Sequence, residues 1–101
     1  LIENPPRVYG DDVALEINCA ARPLPPIFCW LRDQGAMEIT ELARTFNCGI
    51  GLLVFVSTGK SDEVLTALQS GPEPNAWIAG KLTDRTKSAV ILNHSDGWLR
   101  R

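Results

Sequence analysis

The sequence predicts an α+β domain with a mostly antiparallel sheet packed with helices. Three observations carry that reading. Residues 27–46 place apolar side chains at helical spacing. Residues 50–56 form an apolar run rich in Val, Ile, Leu and Phe. Two further short apolar runs, 76–83 and 89–93, follow one another in a hairpin pattern. The resulting order is strand, two helices, strand, helix, strand, strand.

Each element has a local reason. Pro5 and Pro6 are tolerated only in the first turn of a helix, so residues 1–9 are expected to hold a single helical turn. Gly10, Asp11 and Asp12 are turn residues, and 13–18 alternate enough for a short strand. Pro23, Pro25 and Pro26 mark a loop, and the last two set up a helix start. Ile27, Phe28, Trp30 and Leu31 then share one helical face, and Gly35 is expected to take the left-handed conformation that stops it. A second helix is predicted over 38–45, with Ile39, Leu42, Ala43 and Phe46 inward and Asn47 or Gly49 ending it. The pair reads as a packing unit rather than a DNA-binding one, because its exposed residues are mixed in charge.

Residues 50–56, apolar on both faces, predict a central strand covered on both sides. Ser61 is the expected N-cap of a third helix; Asp62 and Glu63 suit its dipole, Val64, Leu65 and Leu68 face inward, and Gly71 with Pro72 stops it. Trp30 and Trp77 are expected in the core, whereas Trp98 falls in a tail, 94–101, expected to be flexible.

Composition bounds the function. At 101 residues the chain is one domain, with a folded surface of about 5,700 Å² expected for its mass. A 45% hydrophobic content excludes disorder as the main state. A net charge of −2 lacks the basic footprint of a general nucleic-acid binder, and the longest apolar run, 49–56, is too short to cross a bilayer. Neither nucleic acid nor membrane is therefore an expected partner. Cys19, Cys29 and Cys48 are odd in number and form no C-x-x-C pair, which argues against a disulfide scaffold or a zinc site. They read as buried thiols of a cytoplasmic protein. The chain opens on Leu1 without an initiator methionine and reads as part of something longer.

Most chemical motifs dissolve on inspection. Gly59-Lys60-Ser61 follows an apolar run and precedes a helix, as a phosphate-binding loop would. The position that needs the first glycine is Val54, so the amide nest cannot form. His94-Ser95-Asp96 holds triad residue types, but neighbours in sequence do not converge on one atom. Asp11-Asp12 is a solvated turn rather than a metal site. The stretch Arg44-Thr45-Phe46-Asn47-Cys48-Gly49-Ile50-Gly51 is different. A helix end feeds directly into an extended run through two glycines, which permit unusual backbone angles or close approach by another group. On spacing alone, Arg44 and Asn47 suit a ligand-facing junction or a helix cap with tight packing equally well. A valine at Gly51 is expected to overpack this entry.

Here the sequence resembles the phosphoribosylformylglycinamidine cyclo-ligase (aminoimidazole ribonucleotide, or AIR, synthetase) family. Arg44 to Gly51 is similar to the family's R-T-F-N-x-G-[IV]-G signature. Leu1-Ile2-Glu3-Asn4-Pro5-Pro6-Arg7-Val8 resembles its G-G-G-x-x-E-N-[ILV]-P-R-V segment. Pro26-Ile27-Phe28, Trp30-Leu31 and Gly35 fit its P-x-[IV]-F-x-W-L-x-x-x-G helix, and Ala76-Trp77-Ile78 with Gly80 fits a late strand. The matches keep their order from Leu1 to about Asn93. Pro5 departs from the usual aliphatic residue, and the triple glycine is absent.

The resemblance implies the C-terminal part of that family's C-terminal domain, of three-layer α/β/α build, without the N-terminal ATP-binding domain. It implies a purine-biosynthesis ligase using ATP and Mg²⁺, in which an amide oxygen of formylglycinamidine ribonucleotide is phosphorylated and an amidine nitrogen displaces it to close an imidazole ring. ADP and phosphate are released with aminoimidazole ribonucleotide. Most ATP and metal ligands are expected in the absent domain. This segment is therefore expected to bind no cofactor or metal of its own and to be inactive alone. By correspondence of motifs, Asn4, Arg7, Arg44 and Asn47 are the expected substrate-binding residues; no catalytic residue is assigned. A homodimer is expected, because the segment should expose sheet edges and apolar patches. The alternative is a small α+β binding or regulatory module without catalysis.

Overall fold

The computed structural model describes residues 1–98. The core is built around one strand, β1 (Val13–Asn18), with Ala14, Leu15 and Ile17 all buried. Consecutive buried residues show that β1 is covered on both faces. Two helices follow, α1 (Pro26–Gly35) and α2 (Ile39–Thr45), then α3 (Ser61–Gln69), β2 (Gly80–Asp84) and β3 (Val90–Asn93). The predicted opening turn is a 3-10 helix at Pro5–Arg7, with proline where the missing N–H costs nothing.

The fold is α+β, as the sequence implies, but the sheet is mixed rather than mostly antiparallel. Its order is β2-β1-β3, with β2 antiparallel and β3 parallel to β1. β2 and β3 therefore form no hairpin; β1 lies between them. Two strand spacings are about 10 Å, well within the reach of a five-residue link. Arg85 holds that crossing. Its backbone N–H donates to the Asp12 carbonyl at 2.9 Å, its Nε to the Val13 carbonyl at 2.9 Å and its Nη2 to the Gly10 carbonyl at 3.3 Å.

The larger correction concerns residues 50–56. The run predicted as the central strand belongs to no sheet. Leu53 and Phe55 pack against the core, while Leu52, Val54 and Val56 point outward, with Leu52 82% exposed. Apolar composition favours an extended backbone, but a strand also needs a neighbour to pair with, and composition cannot supply one. Gly51 has nothing within 4 Å of where a Cβ would stand, so the expected overpacking there does not arise.

Smaller corrections have equally local causes. Ala36, not Gly35, takes the left-handed turn after α1, at φ 50°. Ser61 begins α3 rather than capping it, and its hydroxyl donates to the Thr58 carbonyl at 3.0 Å. Val64, Leu65 and Leu68 are only half-buried, so α3 is loosely covered. Trp30 is 57% exposed instead of buried. Trp98, assigned to a flexible tail, is 4% exposed. Its indole Nε1 donates to the Arg22 carbonyl at 3.1 Å, and its own carbonyl accepts from buried Arg32. Ser95–Trp98 form a 3-10 turn, and residues 99–101 of that tail lie outside the described residues. All three cysteines are buried and free, in line with the sequence reading. Among the described residues no helix is long and apolar enough to cross a membrane.

Candidate functional site

The opening segment and the end of α2 are far apart in sequence and adjacent in space. The Leu1 amino group donates to the Phe46 carbonyl at 3.3 Å, and the Ile2 N–H to the Ala43 carbonyl at 3.2 Å. These bonds satisfy the Ala43 carbonyl, in the last helical turn and without a partner there, and the Phe46 carbonyl just past the helix end. The side chains reinforce the contact: Arg44 Nε lies 3.9 Å from Glu3 Oε1, and Arg44 Nη1 pairs with Glu41 one turn earlier. The result is an exposed polar corner made by Glu3, Asn4, Glu41 and Arg44, on a base of buried Ile39, Leu42 and Ala43.

Asn47 stands at the exit of the same helix with a structural task. Its Oδ1 accepts the Gly49 N–H at 2.9 Å, and its carbonyl accepts the Ile50 N–H at 3.0 Å. This side-chain-to-backbone turn lets the chain leave α2 through two left-handed residues, Cys48 at φ 55° and Gly49 at φ 91°. A Cβ at Gly49 would stand 2.7 Å from the Pro25 ring, so glycine is required there both for conformation and for space. Arg7 is exposed at the end of the Pro5–Arg7 turn.

Of the four sequence-predicted site residues, Arg44 meets Glu3, the chain neighbour of Asn4, rather than Asn4 itself. Asn47 follows on the same helix exit. Arg7 touches only Asn4 of the other three, its backbone N–H donating to the Asn4 carbonyl at 3.1 Å within the opening turn. Glu3 and Glu41 are the residues that spacing missed. Both occupy the Arg44 guanidinium, and Glu3 lies 41 positions away, where no local pattern could point to it.

Beneath the junction, Ile17, Arg22, Pro25, Cys48, Gly49 and Trp98 line a cavity of about 30 Å³, room for one water. The Arg22 guanidinium sits 4.1 Å over the Trp77 ring, a cation–π contact. Burial pushes the Cys19 and Cys48 thiols up to about 11, so neither is a ready nucleophile at neutral pH. The Gly59-Lys60-Ser61 stretch is no phosphate cradle: Thr58–Lys60 forms a 3-10 turn, and Lys60 Nζ lies 3.5 Å from Glu63. Among the described residues no three His, Cys, Asp or Glu side chains gather where a metal could bind.

The chain is a mixed-sheet α+β unit whose exposed polar corner is assembled from its opening segment and α2. Comparison with protein families matches residues 1–93 to the AIR synthase related protein, C-terminal domain. The chain belongs to that family. Among curated proteins it is similar to phosphoribosylformylglycinamidine cyclo-ligase from two strains of Burkholderia pseudomallei, 1710b and K96243. Each is 44% identical over 80 residues, covering 79% of this chain and 22% of the relative. The chain thus spans about a fifth of the length of these relatives.

Proposed function

We propose that this chain is the cleft-forming part of a cytoplasmic purine-biosynthesis cyclo-ligase that turns formylglycinamidine ribonucleotide and ATP into aminoimidazole ribonucleotide, ADP and phosphate. The observation that carries the reading is the docking of Leu1, Ile2 and Glu3 onto Ala43, Phe46 and Arg44. It joins the two segments that most resemble the cyclo-ligases into one exposed corner, in a chain 44% identical to them.

Arg44 is suited to a substrate phosphate. A guanidinium has five N–H donors in a planar fork. Glu41 pairs with Nη1 and Glu3 lies 3.9 Å from Nε, which leaves Nη2 for an anion. Asn4 and Arg7 extend the polar edge, and Asn47 sets the backbone direction beyond it. The residues present do not fit Mg²⁺-ATP: there is no acidic cluster and no amide nest among those described. No phosphoryl-transfer step is assigned to this chain. Its share of the chemistry is to hold and orient the substrate against groups supplied elsewhere in a longer polypeptide.

Phosphate release measured with ATP, Mg²⁺ and formylglycinamidine ribonucleotide tests the reading. The 101-residue chain alone is expected to show no turnover. In a full-length cyclo-ligase carrying this segment, Arg44→Ala should lower kcat/KM by about 10- to 100-fold through loss of a charge-assisted contact worth roughly 1.5–3 kcal/mol. Asn47→Asp, which keeps the acceptor for the Gly49 N–H, separates contact from folding: Asn47→Ala should lose stability and activity, Asn47→Asp activity alone. Turnover by the chain alone, or full activity in Arg44→Ala, would return the corner to a purely structural role. The alternative, a regulatory module without catalysis, is favoured if the isolated chain binds a nucleotide tightly.

A further inference from the structure

The segment after β3 lies outside the family-matched residues 1–93 and is nonetheless built into the core through Trp98. His94 turns the chain in the left-handed region, at φ 56°, and its carbonyl accepts the Gly97 N–H at 3.0 Å. Ser95–Trp98 then pass over the turn at Cys19–Ala21: a Cβ at Gly97 would stand 3.6 Å from the Cys19 carbonyl oxygen, an ordinary van der Waals distance. A non-glycine residue is uncommon at positive φ and is kept there by the contacts around it.

Those contacts clamp one loop from both ends. Trp98 Nε1 donates to the Arg22 carbonyl at 3.1 Å, and the Trp98 carbonyl accepts from Arg32 Nη1. Arg22 precedes the loop that carries Pro23 and Pro25, and Arg32 stands in α1 after it. Arg32 is only 7% exposed, so its guanidinium depends on the acceptors around it, the Trp98 carbonyl and Asp33 Oδ1 at 3.1 Å. The clamped loop is in turn the wall of the α2 exit. Pro25, Cys48, Gly49 and Trp98 line the same small cavity, and the Pro25 ring leaves no room for a Cβ at Gly49.

We propose that residues 94–98 are a strap that holds the Asn47–Gly49 turn in place. Seated, Trp98 fixes the loop at 22–25, and Pro25 in that loop fixes Gly49. Release takes the donor from the Arg22 carbonyl and an acceptor from buried Arg32, and it removes the indole from the cavity behind the turn. The Gly49 N–H bond to Asn47 Oδ1 and the Ile50 N–H bond to the Asn47 carbonyl then lose their backing. The exit of α2, and the polar corner beside it, thereby depend on a segment outside the family domain. A contribution to global stability alone would be different: local openings elsewhere in a fold do not respond to it, and neither would this turn. The coupling holds whether or not the corner takes a substrate.

Hydrogen exchange read by NMR on the 101-residue chain tests the strap. In the natural chain the Trp98 indole N–H should exchange about tenfold or more slowly than that of Trp30, which is 57% exposed. The Trp98 indole and the Gly49 amide should also open as one unit, their exchange rising with the same slope in low urea. Two variants weaken the seat. Arg32→Lys keeps the charge but not the fork that spans Asp33 and the Trp98 carbonyl, and Trp98→Phe keeps a ring but not the indole donor. In both, the Gly49 and Ile50 amides should exchange about fivefold faster or more. The Lys60 amide, which donates to the Ser57 carbonyl at 2.8 Å in a separate turn, is the local control and should not change. An indole at Trp98 exchanging as fast as that of Trp30, different urea slopes at Trp98 and Gly49, unchanged Gly49 and Ile50 amides in the variants, or equal acceleration at Lys60 would each overturn the proposal. The first two readouts use the natural chain, so they decide the matter even if a variant fails to fold.

Discussion

Gly80 is the position where a single added methyl should do most harm. It sits in β2 opposite Ile17 of the central strand, and a Cβ there would fall onto the Glu16 carbonyl and 3.1 Å from the Ile17 Cα. Neither neighbour can retreat. Both are backbone, and β1 is held from the other side by β3, with Glu16 opposite Ile91 and Ile17 opposite Leu92. Relief therefore requires β2 to move off the sheet at its first residues, where the Asn18 N–H donates to the Ala79 carbonyl at 2.7 Å. Overpacking costs about 1–3 kcal/mol, and each lost ladder bond roughly 0.5–1.5 kcal/mol, so Gly80→Ala should cost about 2–5 kcal/mol. Against a total stability of about 5–15 kcal/mol, that is a large share. The thermal midpoint should fall by roughly 8–40 °C, since each kcal/mol shifts a domain of this size by about 4–8 °C. The matched control is Gly51→Ala, where nothing lies within 4 Å. It should stabilise by about 0.4–1 kcal/mol through the unfolded chain alone. Thermal melts followed by far-UV circular dichroism compare the two. A Gly80→Ala midpoint within about 3 °C of the natural chain, a shift worth less than roughly 1 kcal/mol, would refute the reasoning, because β2 would then have yielded without loss.

Other outcomes follow from the same geometry. Trp98→Ala should destabilise by about 3–5 kcal/mol, read by urea denaturation, because it empties a buried aromatic site and leaves the Arg22 carbonyl without its donor. Arg85→Lys should cost roughly 1–2 kcal/mol in the same assay, since one ammonium cannot reach both the Val13 and Gly10 carbonyls that the guanidinium spans. The buried thiols make stability fall at alkaline pH. Cys19 and Cys48 are raised from 9.0 to about 11 by burial, so the folded state keeps protons that the unfolded state releases. Their stabilising contribution is complete below pH 9 and is lost as pH rises toward about 11, and Cys19→Ala should flatten that slope in melts taken across the interval.

Sequence by itself determined the elements whose causes are near neighbours. β1, the Pro5–Arg7 turn, α1 and most of α2 stand where alternation, proline position and helical spacing put them, because those rules act within a few residues. The family was legible too, since its motifs keep their order along the chain. Tertiary structure alone decided how the strands combine. Whether 80–84 and 90–93 pair with each other or flank β1 depends on where β1 lies, and β1 sits more than sixty residues upstream of both. It also decided that residues 50–56, the most strand-like run in composition, pair with nothing among the described residues, because a ladder is a property of two segments and no single segment contains it. The partners of Arg44 follow the same rule. Glu41 is a helical neighbour, but Glu3 reaches the guanidinium because Ile2 docks on the Ala43 carbonyl at the end of α2 and Leu1 on the Phe46 carbonyl just beyond it.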